Sequence, residues 1–246
     1  MRRQHDSRID DGLRCNSNEF CRYKEQMLEE YKDKLEKLAD IILEWNEKIN
    51  VTAIRDRAEF MKKNVEDSLE VLDLPEFAEA ERILDLGTGG GFPGLPLAIT
   101  CPDKQFFLLD SVAKKLKVVA IAASELGLEN VDVLNMRAED LAKWPAYRES
   151  FDIVVSRAVA NMSTLSEYCL PFVKVGGYFV AYKTESAMEE IEAAGTAVKL
   201  LGGGEQRIVK GGSEDNDHIF VVIKKIGPCP KKYPRKAGLP SKQPLK

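Results

Sequence analysis

The feature that most constrains this chain is a run of glycines set directly after a short apolar segment. Arg82-Ile-Leu-Asp-Leu86 is followed by Gly87-Thr-Gly-Gly-Gly-Phe-Pro-Gly94. The apolar segment reads as a buried strand. The glycines allow a tight turn and close backbone approach. Pro93 and Pro96 fit the first turn of a helix but not its interior. The expected unit is therefore strand, loop, helix, and the same alternation continues downstream. Gln105–Asp110, Val131–Leu134, Phe151–Val155 and Gly177–Tyr182 read as strands. Helices are expected over Val112–Leu126, Met162–Pro171 and Glu185–Leu200. Such alternation implies a mostly parallel sheet with right-handed crossovers. The last strand candidates, Glu205–Val209 and His218–Lys224, are joined through Lys210-Gly-Gly-Ser213, which suits an antiparallel hairpin at the sheet edge. The expected fold is a doubly wound α/β domain with a mostly parallel seven-stranded sheet and an antiparallel last strand.

Upstream, Leu28, Tyr31, Leu35, Leu38, Ile42, Trp45 and Ile49 recur at helical spacing, giving one apolar stripe on a long helix from about Phe20. Packing on the domain is favoured over a coiled-coil dimer. Asn50-Val-Thr52 breaks the pattern, and a second helix is expected over Asp56–Leu72, ending near Pro75. Four segments result: residues 1–19, polar and expected to be disordered or foreign to the natural chain; a helical extension over 20–75; a core over 76–226; and a tail over 227–246.

Hydrophobic residues make up 44% of the chain, enough for a substantial core, yet no window holds 18 consecutive apolar residues. No apolar stretch follows the basic N-terminus, which argues against a secretory signal. The five cysteines are widely spaced and share no metal-ligand spacing with His5 or His218, so ordinary reduced thiols and no metal are expected. Net charge is −4, but Lys224–Lys246 carries seven lysines, one arginine and no acid. That segment is +8, leaving −12 on the rest, so an anion contact is expected at the tail.

Gly89-Gly-Gly-Phe-Pro-Gly94 matches GxGxxG, but a dinucleotide site places its third glycine inside the helix, where Pro93 and Pro96 fit poorly. A frame starting earlier, Asp85-x-Gly87-x-Gly89-x-Gly91, resembles the nucleotide loop of class I S-adenosylmethionine methyltransferases. In that frame Asp85 stabilises the ligand's ammonium, and Asp110, ending the second strand about 20 residues on, accepts from the ribose hydroxyls. Ala138 and Glu139, after the third strand, border the adenine. Glu139 and Asp140 could equally just begin a helix.

The fourth strand ends in Ser156-Arg157-Ala158, with neither an Asn/Asp-Pro-Pro-aromatic motif nor a Pro-Cys pair. No histidine lies nearby. A placed base would be wanted for proton abstraction, whereas a ring nitrogen with an in-plane lone pair needs chiefly positioning and electrostatics. Arg157 is the candidate for holding guanine, a phosphate or the cofactor.

Several segments together resemble the RsmG (GidB) family of 16S rRNA guanine-N7 methyltransferases. They are Glu44–Ile54, Asp67-Ser-Leu69, Ile83–Gly94, Leu109-Asp-Ser111, Val155-Ser-Arg-Ala158 and Lys232–Leu245. The resemblance implies methyl transfer from S-adenosylmethionine to N7 of a guanine in a loop of 16S rRNA, by a cytoplasmic, monomeric, metal-free enzyme. It places cofactor contacts on Gly87, Phe92, Ala138, Glu139 and Arg157. Gly89, Gly91 and Ser111 join that set, with Asp85 and Asp110 from the fold logic. RNA contacts are expected at Asn64, Lys183, Lys231, Lys232, Tyr233, Arg235 and Lys236, with Phe92, Tyr182 and Tyr233 as aromatic candidates for stacking. One departure is Asn64, where the family often has His. Three readings stay open beside this one: a methyltransferase of a small molecule or protein, a nicotinamide oxidoreductase, and a non-catalytic ribosome-assembly factor.

Overall fold

The computed structural model of the chain describes residues 26, 28–211 and 217–246. Residues 1–19, with His5 and Cys15, lie outside that set, as do Cys21 and Ser213. The first helix described in full, α1 (Lys32–Asn46), buries Leu35, Leu38 and Ile42, the stripe read from the sequence. Asn46 ends it by accepting from the backbone N–H of Val51 and Thr52, 2.8 and 3.0 Å away.

The expected helix over Asp56–Leu72 is broken. Arg57–Phe60 (α2) passes into a π turn at Met61–Glu66, then Asp67–Leu69 (α3) and a 3-10 turn at Glu70–Asp73. The Ser68 hydroxyl donates to the Asn64 carbonyl, a side-chain bond that competes with the backbone ladder. Widened turns of this kind re-aim side chains and recur at functional sites. Asn64 stands in this one. Pro75–Ala78 (α4) then leads into the sheet.

The strands are β1 (Arg82–Leu86), β2 (Gln105–Asp110), β3 (Val131–Asn135), β4 (Phe151–Arg157), β5 (Val173–Thr184), β6 (Gly203–Lys210) and β7 (His218–Lys225). Their order is β3-β2-β1-β4-β5-β7-β6. The first five run parallel, and β7 is antiparallel to both neighbours. The crossover helices are α5 (Gly94–Thr100), α6 (Ala113–Glu125), α7 (Ala138–Leu141) and α8 (Met162–Cys169). The expected helix over Glu185–Leu200 divides into a 3-10 turn (Glu185–Ala187), α9 (Met188–Ala193) and α10 (Gly195–Leu200). The division falls at Ala194, just ahead of Gly195, a residue that weakens a helix interior. Leu239–Lys242 (α11) lies in the tail.

Alternate strand residues feed opposite faces of the sheet. Ile83, Phe106, Ile153 and Val155 pack with α1, α5 and α6, while Leu84, Phe107, Val154 and Phe179 pack with α8, α9 and α10. With both faces covered, β1, β2 and β4 are nearly continuous apolar runs, as parallel strands must be. Cys101, Cys169 and Cys229 are buried thiols. Among the described residues no helix is long and apolar enough to cross a membrane.

Candidate active site

The C-terminal ends of β1, β2, β3 and β4 surround a cavity of about 410 Å³, within the usual range for a small-ligand site, roughly 300–1,000 Å³. Its floor is the glycine loop. Gly87 and Thr88 donate their N–H groups to the Leu109 carbonyl at 2.8 and 3.1 Å, which ties the loop to β2. Gly87 has φ of 76°, and a Cβ there would run into the Val159 side chain. Only glycine meets both conditions.

Asp85 lies behind this loop rather than on the cavity wall. It is 0% exposed, and its Oδ2 accepts from Thr88 Oγ1 at 2.6 Å and from the Gly94 N–H at 2.8 Å. Its Oδ1 has no hydrogen-bond partner among the described residues. Burial raises its pKa to about 6, against the lowering effect of Thr88, Gly94 and Arg157. Gly91 also stands back from the cavity, against Leu95 and Val119. The sequence pattern has Asp85 stabilise the ammonium directly or through water and brings the Gly91 backbone close to the ligand. Neither stands on the cavity wall, because the loop folds over the Asp85 carboxylate and turns Gly91 toward α5, which leaves Asp85 the indirect route.

Other expected residues come together on the wall: Gly87, Gly89, Phe92, Asp110, Ser111, Ala138, Glu139 and Arg157 all line the cavity. Asp110 accepts from Gly89 N–H through Oδ2 (2.9 Å) and from Val112 N–H through Oδ1 (2.8 Å). Each carboxylate oxygen keeps acceptor capacity for a further donor. Phe92 packs edge-on to Phe60, with ring centroids 5.4 Å apart. Glu139 begins α7 and lines the cavity at once, and its buried Oε1 accepts from the Gly238 N–H at 2.8 Å. Thr52, Lys115, Met136 and Tyr168 also line the cavity, and no motif marks the last three. Thr52 had a local signal in the break after α1 and lies in the Glu44–Ile54 segment.

A second, larger cavity of about 1240 Å³ adjoins the first, and Asn64, Arg157 and Ala158 line both. Arg157 donates to the Lys63 carbonyl at 3.1 Å and to Asn64 Oδ1 at 3.4 Å. Burial lowers the pKa of its guanidinium, while Tyr182, Asp85 and Asp67 pull it upward. Ala158, with φ of 56°, makes the turn after β4 in a conformation rare for a side chain. That turn fixes the rim shared by the two cavities.

The groove side corrects several expectations. Lys183 lines the larger cavity, but its ammonium is held by the Ala160 carbonyl at 2.9 Å and Glu190 Oε1 at 2.6 Å. Tyr182 is buried, its hydroxyl donating to the Ser68 carbonyl at 2.8 Å, so its ring edge is fixed rather than offered. In the tail, Tyr233 is 7% exposed and Arg235 grips the fully buried Glu167 through Nε and Nη2. The cationic composition of the tail predicts RNA contacts for both. Their packing serves the tail instead, because a buried carboxylate demands a paired cation. Lys231, Lys232 and Lys236 stay exposed. Asp67, Glu70 and His218 bring potential metal-ligand atoms within 4.8 Å of one another, a set that only the tertiary fold assembles.

A family model described as GidB, rRNA small subunit methyltransferase G, matches residues 31–220. Among curated relatives, a Ribosomal RNA small subunit methyltransferase G of Clostridium novyi (strain NT) is 47% identical over 208 residues, 84% of this chain and 86% of the relative. The protein of the same name from Clostridium beijerinckii is 48% identical over 220 residues, covering 87% and 92%. Among solved structures, a putative O-methyltransferase from Klebsiella pneumoniae superposes with a TM-score of 0.53 at 16% identity, covering 77% of this chain and 90% of that one. The S-adenosylmethionine-dependent methyltransferase SibL gives 0.54 at 15%, covering 72% and 60%. At such identities the structural likeness concerns the fold alone.

Proposed function

Since this chain belongs to the GidB family of rRNA small subunit methyltransferase G proteins, we propose that it transfers the methyl group of S-adenosylmethionine to N7 of a guanine in a loop of small-subunit rRNA. The observation that carries this reading is the junction at Arg157, where a cavity of cofactor size opens into a larger groove.

The smaller cavity fits the cofactor on its own chemistry. The loop brings bare backbone to the cavity floor, Asp110 faces it with a carboxylate, and the Asp85 Oδ1 behind it lacks a partner among the described residues. Asp110 would accept from the ribose hydroxyls, Ala138 and Glu139 would border the adenine, and Asp85 would balance the ammonium through the loop or a water. When bound, S-adenosylmethionine supplies an electrophilic methyl that a ring nitrogen takes in line, with its sulfur leaving as a thioether.

The groove would take the guanine after it leaves its stack. The residues lining both cavities, Asn64, Arg157 and Ala158, include no general base at neutral pH. That suits N7, whose lone pair lies in the ring plane and carries no proton. Arg157 would hold the base or an adjoining phosphate, and Asn64 would keep its guanidinium in place. Lys231, Lys232 and Lys236 would meet rRNA phosphates, each adding roughly −0.7 to −0.9 to the logarithmic salt slope. The enzyme is proposed to act as a cytoplasmic monomer on 16S rRNA or the small subunit.

To test the reading, incubate the protein with methyl-labelled S-adenosylmethionine and small subunits lacking the modification, then digest the rRNA to nucleosides. Label in 7-methylguanosine is expected. Label in another nucleoside, or none while the cofactor binds, rejects the assignment.

A further inference from the structure

The basic C-terminal segment is bound to the body of the protein by a chain of polar contacts. The Arg148 guanidinium donates to the carbonyls of Cys229 and Tyr233, both at 2.9 Å. Arg235 clamps Glu167 on α8, and its Nη2 also reaches the Gln243 carbonyl at 2.7 Å. Past that anchor the chain turns at Gly238, with φ of 80°. From there it runs along the outside of the smaller cavity. The Gly238 N–H donates to Glu139 Oε1 at 2.8 Å. The Pro240 carbonyl accepts from Thr164 Oγ1 at 3.1 Å. Ser241 Oγ donates to the Gly238 carbonyl at 3.1 Å, closing the turn. Glu139 and Tyr168 both line the cavity, at the end where the third strand feeds in.

We propose that residues 238–243 are a buttress of the cofactor cavity, with Gly238 as a positioning residue that acts through Glu139. This rests on the reading that the smaller cavity takes S-adenosylmethionine. Glu139 is 2% exposed. Without the Gly238 N–H its carboxylate would lose a partner in a buried place, and it would swing or draw in water. Either movement shifts the first turn of α7, the backbone that borders the cavity. The same segment follows directly on the exposed Lys231, Lys232 and Lys236. A polyanion on those lysines would therefore act on the element that supports the cofactor, and the coupling would be reciprocal.

The test uses calorimetric titration with S-adenosylhomocysteine, beside melting curves taken without ligand. A chain ended after Ala237 keeps the Arg235–Glu167 pair and loses the buttress. Its Kd is expected to rise about three- to tenfold, the equivalent of one net hydrogen bond. The KM for S-adenosylmethionine should rise in step, with kcat at saturating cofactor unchanged. Thr164→Val disturbs the segment without touching the cavity, and should raise Kd by a smaller factor. A shortened chain that melts cooperatively and binds as tightly as the parent overturns the proposal. If shortening prevents folding, an unchanged Kd in Thr164→Val overturns it instead. Failure of the parent chain itself to bind would reject the reading of the cavity, a separate result.

Discussion

The two cavities are built differently. The smaller one rests on a continuous motif, in which Gly87, Gly89 and Gly90 present backbone and Asp110 holds the loop by the Gly89 N–H. The larger one is assembled from distant segments: Ile54 and the π turn around Asn64, the end of β4, Tyr182 to Glu190, and Asp217 to Phe220. The floor of the smaller cavity keeps its shape through local turns and sheet bonds, while its walls come from the ends of β2, β3 and β4 and from Tyr168. A site made of four segments keeps its shape only through tertiary packing. Arg157 belongs to both, so substitutions can be sorted by which side they disturb.

The largest effect is expected at the junction. Arg157→Ala should lower kcat/KM by roughly 100-fold, the scale of a misplacement near the reacting atoms. Both cofactor and rRNA KM values should change. A change confined to one of them would break the view that the cavities share this residue.

On the loop side, Asp85 gives a pH signature. Because its folded pKa is raised to about 6 by burial, its contribution to stability is full only below about pH 4 and is lost as pH rises through the folded value. A bound ammonium favours the ionised carboxylate, so cofactor affinity should rise over that same window. Asp85→Asn should flatten the profile and cost about tenfold in affinity at pH 7.5, one pKa unit's worth of interaction. An unaltered profile in that variant would separate Asp85 from the ammonium. On the groove side, replacing Lys231, Lys232 and Lys236 by Gln should reduce the logarithmic salt slope of rRNA binding by about 2–3, with free-enzyme cofactor affinity retained. An unchanged slope would remove the tail lysines from the RNA surface. The smallest effect is expected from Tyr182→Phe, a loss of about 1 kcal/mol in unfolding free energy with rRNA methylation intact. Loss of methylation without loss of stability would give the Tyr182 hydroxyl a part in the reaction rather than in packing.

The same contrast explains what is legible in the sequence alone. Glycines, Pro93 and the strand ends at Asp85 and Asp110 are local signals, and they locate the loop cavity and the parallel sheet. The π turn at Met61–Glu66 has no such signal, since its sequence is an ordinary helical run. The tail misleads for the opposite reason. Its composition announces a cationic end, but composition does not reveal that Arg235 faces a buried Glu167 some 68 positions away in the chain. Tyr168 and Met136 on the cavity wall are invisible in the sequence because only packing brings them there.

The most direct measurement is a crystal structure with S-adenosylhomocysteine bound. The account predicts the adenine beside Ala138 and Glu139, the ribose hydroxyls on Asp110, and the sulfur directed past Arg157 toward the groove. A ligand seated elsewhere, or a sulfur facing away from that groove, would contradict it.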